Sequence, residues 1–276
     1  MLVADDKLLL RFQTYAEIEQ RPAFKPEVNG KTAAPIDVTG VYDWPESDWH
    51  RCGLSTCHTP HGKGYLVTFD CGTETLVGNE CGAKNLGLEF EQLLSHAKYS
   101  HRIAIDRAMV KSIADRREAL LEQVDSLLEK PRGGKWIYRR LSDARRILPH
   151  EAAHLISRMA RHGDPDVYEE RYLSAKDIEI RKETGTFNGS RIERVKVGSI
   201  VGLDVWNSDL RALLIDDIRG GIEKLYATNS RADSSLAELL KDAQWAAELP
   251  SKFLRVEALL SAGGAFFELN NLDKLR

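Results

Sequence analysis

Residues 52–87 read Cys52-Gly-Leu-Ser-Thr-Cys57-His58-Thr-Pro-His61-Gly-Lys-Gly-Tyr-Leu-Val-Thr-Phe-Asp-Cys71-Gly-Thr-Glu-Thr-Leu-Val-Gly-Asn-Glu-Cys81-Gly-Ala-Lys-Asn-Leu-Gly87, and all four cysteines of the chain fall inside them. His58 and His61 lie between the thiols. Thiols and imidazoles gathered this locally read as metal ligands before they read as disulfide partners, because cysteines kept in a reducing compartment do not cross-link. Zn²⁺ favours four tetrahedral nitrogen or sulfur ligands, and a shell closed by four protein side chains is the structural kind of site.

The pattern around those residues supplies the rest of a module. Cys52 and Cys57 flank a short Gly-Leu-Ser-Thr turn, Gly64–Phe69 suits a strand, Thr75–Val77 a returning one, and Cys81 opens a helix. A knuckle, a hairpin and a helix bearing a ligand in its first turn resemble the treble-clef zinc finger. That resemblance covers residues 50–90 only and implies a structural zinc, with no biochemical function attached.

A treble clef usually takes two ligands from its helix end, whereas this chain offers only Cys81 there. Cys71 completes a four-cysteine count, but Asp70-Cys71-Gly72-Thr73 reads as the hairpin turn. A strand of about six residues carries that turn roughly 20 Å from the base of the hairpin. His61 begins the hairpin beside the knuckle. The expected ligands are therefore Cys52, Cys57, His61 and Cys81, with Cys71 the rival fourth and His58 a more remote one. Residues 50–82 hold little apolar material, so the metal is expected to supply the stability that a core does not.

The chain has 276 residues, 42% hydrophobic and 29% charged, the balance of a soluble globular protein, and a net charge of −3 that argues against general nucleic-acid or membrane-surface binding. A local basic patch stays compatible with that charge. Neither a secretory signal nor a run of about 20 apolar residues is evident, so cytoplasm is the expected location.

Residues 1–49 read as an amphipathic helix over 7–20 (Leu8, Phe12, Tyr15, Ile18) followed by an irregular segment with at most a short strand at Ile36–Thr39. Trp44 and Trp49 flank the entry to the metal module, which spans 50–87, and are expected to cover it. Residues 88–130 lack Pro and Gly and carry a helical apolar stripe: one long helix, or two end to end. Its stripe needs a partner, either the C-terminal helices or a second copy in a coiled coil, which would make a homo-oligomer. Residues 131–276 read as a helical region with one β-hairpin, 178–197, turning at Asn188-Gly189. Breaks in the C-terminal helices are expected near Gly220-Gly221, Asn229-Ser230, Pro250 and Gly263-Gly264. The fold class is α+β, dominated by helix.

Two further stretches carry chemistry. His150-Glu151-Ala-Ala-His154 resembles the zincin metalloproteases over five residues; the resemblance implies zinc held by His150 and His154 with Glu151 as general base. Pro149 sets His150 in the first turn of its helix, Ser157 and Ala160 stand where a metzincin continuation needs Gly and His, and Glu169 or Glu170 is the available acid. The preferred reading is a surface helix without catalytic residues. The second stretch is basic: Lys130, Arg132, Lys135, Arg139, Arg140, Arg145 and Arg146, with Trp136 and Tyr138 interleaved. Arginine forks fit phosphate oxygens and aromatic rings stack on unpaired bases, so it suits nucleic acid. The competing reading packs it against the acids Asp216, Asp217, Glu238 and Glu248. No nucleotide-binding glycine motif and no serine-hydrolase elbow is present. A zinc-finger binding or scaffold protein engaging nucleic acid or a protein partner is the function these residues favour, with a zinc peptidase as the alternative.

Overall fold

A computed structural model describes residues 7–229 and 235–275. The chain divides into two compact units, Met1–Met109 and Val110–Arg276, and the fold is α+β dominated by helix.

The first unit is built on a sheet of four strands. β1 (Leu10–Phe12) pairs in parallel with β2 (Pro35–Asp43), which pairs antiparallel with β5 (Lys63–Phe69), which in turn pairs with β6 (Glu74–Gly78). Between β2 and β5 run the two short strands β3 (His50–Arg51) and β4 (Pro60–His61), paired with each other. A helix, α2 (Asn79–Asp115), starts directly from β6. Alternation along the strands sends side chains to opposite faces. Val38, Val67, Phe69 and Val77 join Phe90, Leu94 and Ala97 of α2 in one core, while Leu66 and Leu76 join Phe12, Ile18, Tyr42 and Trp44 in a second.

Three expectations change here. Residues 7–20 are not one helix: β1 precedes a five-residue helix, α1 (Tyr15–Glu19). Leu8 is exposed and Leu9 buried, the reverse of the helical stripe, because pairing with β2 outweighs local periodicity. β2 extends over nine residues rather than four. Nor is the metal module short of apolar support, since both of its core faces are filled by residues from outside 50–82. Ala4-Asp5-Asp6 lies outside the described residues.

The stretch 88–130, read as one long helix or two end to end, consists of two: α2, which bends at Gly87 (φ 64°, ψ −147°) in the first unit, ends at Asp115, and α3 (Arg117–Glu129) follows after Arg116 in the second unit. The α3 stripe of Leu120, Val124, Leu127 and Leu128 is buried within this unit, against α4 (Gly134–Ile147), a π-helical turn pair (Ala212–Arg219) and α7 (Gly220–Asn229). α5 (His150–His162) comes next, and then a two-stranded ribbon of β7 (Asp166–Tyr172) and β8 (Ile192–Ser199). The first six residues of the expected hairpin arm 178–187 are instead helical, in α6 (Ala175–Glu183), started by a Ser174/Asp177 capping box, so β8 takes β7 as partner.

The last helix, α8 (Leu236–Phe266), runs through both expected breaks, Pro250 and Gly263-Gly264. Gly263 is a contact residue: a Cβ there would meet Ile137 of α4 at 2.7 Å, whereas one on Gly264 would meet nothing within 4 Å. Alanine at the two positions should act with opposite sign. Gly263→Ala overpacks a buried contact and is expected to lower unfolding free energy by about 1–3 kcal/mol. Gly264→Ala gains about 0.5–1 kcal/mol from helix propensity and a less flexible unfolded chain. Denaturant unfolding of both variants measures this, and equal effects would contradict the α4–α8 packing.

Candidate metal centre

The first unit brings Cys52, Cys57 and Cys81 together from three local structures. Cys52 follows β3, and its N–H bonds to Thr59 O at 3.0 Å, closing the knuckle. Cys57 ends the tight turn, its N–H bonding to Leu54 O at 2.9 Å. Leu54 is fully buried in the first core and anchors that turn. Cys81 sits in the first turn of α2 because β6 feeds straight into the helix. Their sulfurs all lie within 4.8 Å of one another, which forms a group that could hold a metal ion. Tetrahedral zinc with bonds of about 2.3 Å sets its sulfurs roughly 3.8 Å apart, so the spacing fits. The thiol of Cys57 is 3.2 Å from Cys81 Sγ, and Cys52 Sγ is 3.8 Å from Leu76 O.

Crowding sets the thiols' acidities apart. Burial pushes the Cys81 thiol up to about 12, helped by its hydrogen bonds and by the neighbouring Cys57 and Cys52. Burial also raises Cys52. At Cys57 burial pulls upward, but hydrogen bonds from Thr59, Cys81 and Cys52 outweigh it and lower the thiol to about 7.

His61 is outside the group of three sulfurs. It stands on β4 opposite His50, with its ring stacked near Tyr42 and its Nδ1 3.2 Å from the Tyr42 hydroxyl. Burial lowers its pKa, favouring the neutral imidazole. Cys71 lies in the turn between β5 and β6, exposed, with its sulfur 2.9 Å from Thr73 Oγ1. His58 is exposed, with a φ of 52°. Trp44 is buried in the second core with its ring 4.3 Å from Tyr42, whereas Trp49 is half exposed.

Sequence reasoning missed Asn85. It lies one helical turn past Cys81, its Nδ2 donating to Cys81 O at 2.8 Å and its Oδ1 accepting from Thr56 at 3.2 Å. The latch ties the knuckle to the helix. Its signal was the i, i+4 spacing from Cys81.

In the second unit His150 and His154 share an exposed face at the start of α5, with ring centroids 6.3 Å apart and Glu151 exposed between them. Among the described residues no third ligand atom joins them; Glu169 and Glu170 are exposed on β7 and Glu169 pairs with Arg171 at 3.0 Å. The basic segment starts at the α3–α4 turn and continues along α4. Arg132 pairs with Glu268, Lys135 with Glu129 and Arg146 with Asp143, while Arg145 bonds to Trp206 O. The acids proposed to oppose it are engaged elsewhere: Asp217 by Lys252 and Trp245, Asp216 by Arg211, Glu248 by Lys252, and Glu238 as a helix cap. Arg139 and Arg140 are exposed and without ion-pair partners among the described residues; Arg140 lies over the Trp136 ring at 5.5 Å.

No protein-family model, curated protein or solved structure matches the chain. Among the described residues, no helix is long and apolar enough to cross a membrane.

Time-resolved alkylation reads the cluster directly. In metal-free protein near neutral pH, Cys57 and Cys71 are expected to react with iodoacetamide first, since Cys52 and Cys81 are buried and protonated. A bound metal should then protect Cys57 and leave Cys71 reactive. Mass spectrometry of each cysteine peptide measures it, and protection of Cys71 would contradict the arrangement.

Proposed function

We propose that residues 50–87 form a structural zinc module within a binding or scaffold protein, which engages nucleic acid or a protein partner through this module and the basic face of α4. The observation that carries the reading is the group of three sulfurs, each delivered by a different local structure. A buried set of thiols this close is electrostatically costly as thiolates, and a divalent cation is the partner that removes the cost. Thiolate ligands favour zinc over magnesium or calcium. Two filled cores flank the sheet, so the zinc secures the knuckle and helix start rather than the whole unit.

The binding half of the proposal draws its support from Arg139, Arg140 and Trp136. Two exposed arginines without ion-pair partners among the described residues, one of them over an aromatic ring, suit a phosphate-bearing or acidic surface, while the paired cations of the same segment contribute less. The peptidase alternative finds no comparable support at His150 and His154.

Elemental analysis of purified protein is expected to give about one zinc per chain. Cys81→Ser should lose the metal and Cys71→Ser should keep it. Chelation should lower the melting temperature and expose Cys57 while leaving most sheet signal intact, and full zinc retention in Cys81→Ser would overturn the module. For binding, affinity for an oligonucleotide should fall with rising salt, and Arg139→Ala or Arg140→Ala should each reduce the slope of log K against log salt by about one phosphate contact. Absent or salt-indifferent binding would remove nucleic acid and leave the protein partner.

A further inference from the structure

The fourth donor of the metal site is legible from what its neighbours already hold, an inference that rests on the metal reading above. His61 Nε2 is buried and has no hydrogen-bond partner among the described residues. A buried nitrogen left unpaired is costly and calls for an explanation. Its imidazole lies flat against Gly78, where a Cβ would come 2.7 Å from Cδ2 and 3.0 Å from Nε2. The Cys52 sulfur lies 3.8 Å from Leu76 O on the same strand. The free nitrogen and the Cys52 sulfur therefore both border the last three residues of β6, which runs directly into the helix that carries Cys81.

The other nearby donors are spoken for. Asn85 occupies the helix position from which a treble clef would draw its second ligand, but both ends of its amide are engaged, by Cys81 O and by Thr56. Cys71 is held by Thr73 in the far turn of the β5–β6 hairpin. His58 is exposed. His61 alone among these pairs a buried, unpaired atom with a fixed orientation, because its Nδ1 faces the Tyr42 hydroxyl at 3.2 Å. A histidine that ligates through one nitrogen carries its proton on the other, and that N–H donates to an outer partner. Tyr42 is 2% exposed and packed between Trp44 and His61, so its oxygen is a fixed acceptor.

We propose that His61 Nε2 is the fourth ligand of the Cys52–Cys57–Cys81 site, and that Tyr42 is the positioning residue that holds the imidazole by Nδ1–H. His61 stands outside the group whose atoms all lie within 4.8 Å, so on metal binding its imidazole closes toward the three sulfurs.

Cobalt(II) loading of the full chain tests this. Wild type is expected to show the intense visible bands of a four-coordinate site and a charge-transfer absorption set by three thiolates. His61→Cys should raise that absorption by about one third, because a fourth thiolate joins. His61→Ala should weaken the visible bands as a water enters and the coordination number rises. Tyr42→Phe keeps the ring packing and should lower cobalt affinity about 10–100-fold with the charge-transfer intensity unchanged. His58→Ala should leave the spectrum as in wild type.

An unchanged charge-transfer intensity in His61→Cys, or loss of the four-coordinate bands in His58→Ala, would overturn the assignment of His61 while the module stands. A wild-type chain that takes up no cobalt and no zinc would overturn both. Should the His61 variants fail to fold, long-range ¹H–¹⁵N spectra of the zinc-loaded wild type decide. His61 must show a metal-shifted Nε2 and a protonated Nδ1, and a His61 whose nitrogens do not respond to zinc ends the proposal.

Discussion

The packing of the first unit's sheet against α2 and the knuckle brings three thiols, two of them buried, within 4.8 Å of one another. Each sulfur is held by a structure that would exist for other reasons. The knuckle turn is anchored by buried Leu54, β6 pairs with β5, and α2 docks Phe90, Leu94 and Ala97 against the sheet. Their convergence is therefore set by the backbone and not by sulfur chemistry. A site preformed in this way loses little conformational entropy on closing, whereas a zinc finger without a core must order its whole chain around the ion.

The difference changes what an ion bound there would do. Both faces of the four-stranded sheet are covered, one by α2 and the knuckle, the other by Phe12, Ile18, Tyr42, Trp44, Leu66 and Leu76. Glu74, 6% exposed, is matched by a two-pronged bond from Arg21, with N–O distances of 2.6 and 2.8 Å, which ties the segment after α1 to β6. The knuckle has less of this support. Ser55 and Thr56 lie at the surface between Cys52 and Cys57, and the Thr56–Asn85 bond of 3.2 Å is an exposed contact. It is this corner that an ion would stiffen.

The sequence made the local features visible and left the distant pairings hidden. The β5–β6 hairpin and the Cys81 helix start were legible because two short apolar runs, the Gly-containing turn between them and the helix start are all encoded within a few residues. β1 was not, since Leu10–Phe12 becomes a strand only by pairing with Gly40–Tyr42, about thirty positions away. Residues 178–187 were misread because Asn188-Gly189 suggested a hairpin, while Ser174 and Asp177 carried a helix cap whose acid is Asp rather than the Glu or Gln of the usual box. Pro250 and Gly263 looked like breaks for the same reason: local propensity disfavours them in helices, but α8 is held by a buried stripe from Leu239 to Phe266. For the candidate site, cysteine spacing named the thiols, whereas the orientation of His61 depends on Tyr42, nineteen positions away on another strand.

Charge in the second unit follows a similar logic. A basic segment read from sequence invites a nucleic-acid interface, but a cation's availability depends on which acids reach it. Arg132, Lys135 and Arg146 meet Glu268, Glu129 and Asp143, so much of the apparent positive patch is neutralised within the unit. Exposed pairs of this kind are worth only about 0–1 kcal/mol each, little enough for a phosphate to compete for the arginine. Lys252, only 19% exposed in its side chain and bonded to Asp217 at 2.7 Å, belongs to the packing and is not available in that way. The distinction leaves Lys130, Arg139 and Arg140 as the exposed cations of this segment whose side chains make no ion pair or hydrogen bond among the described residues, and it is the position of Arg140 over Trp136, not the count of basic residues, that gives α4 a face suited to an anionic partner.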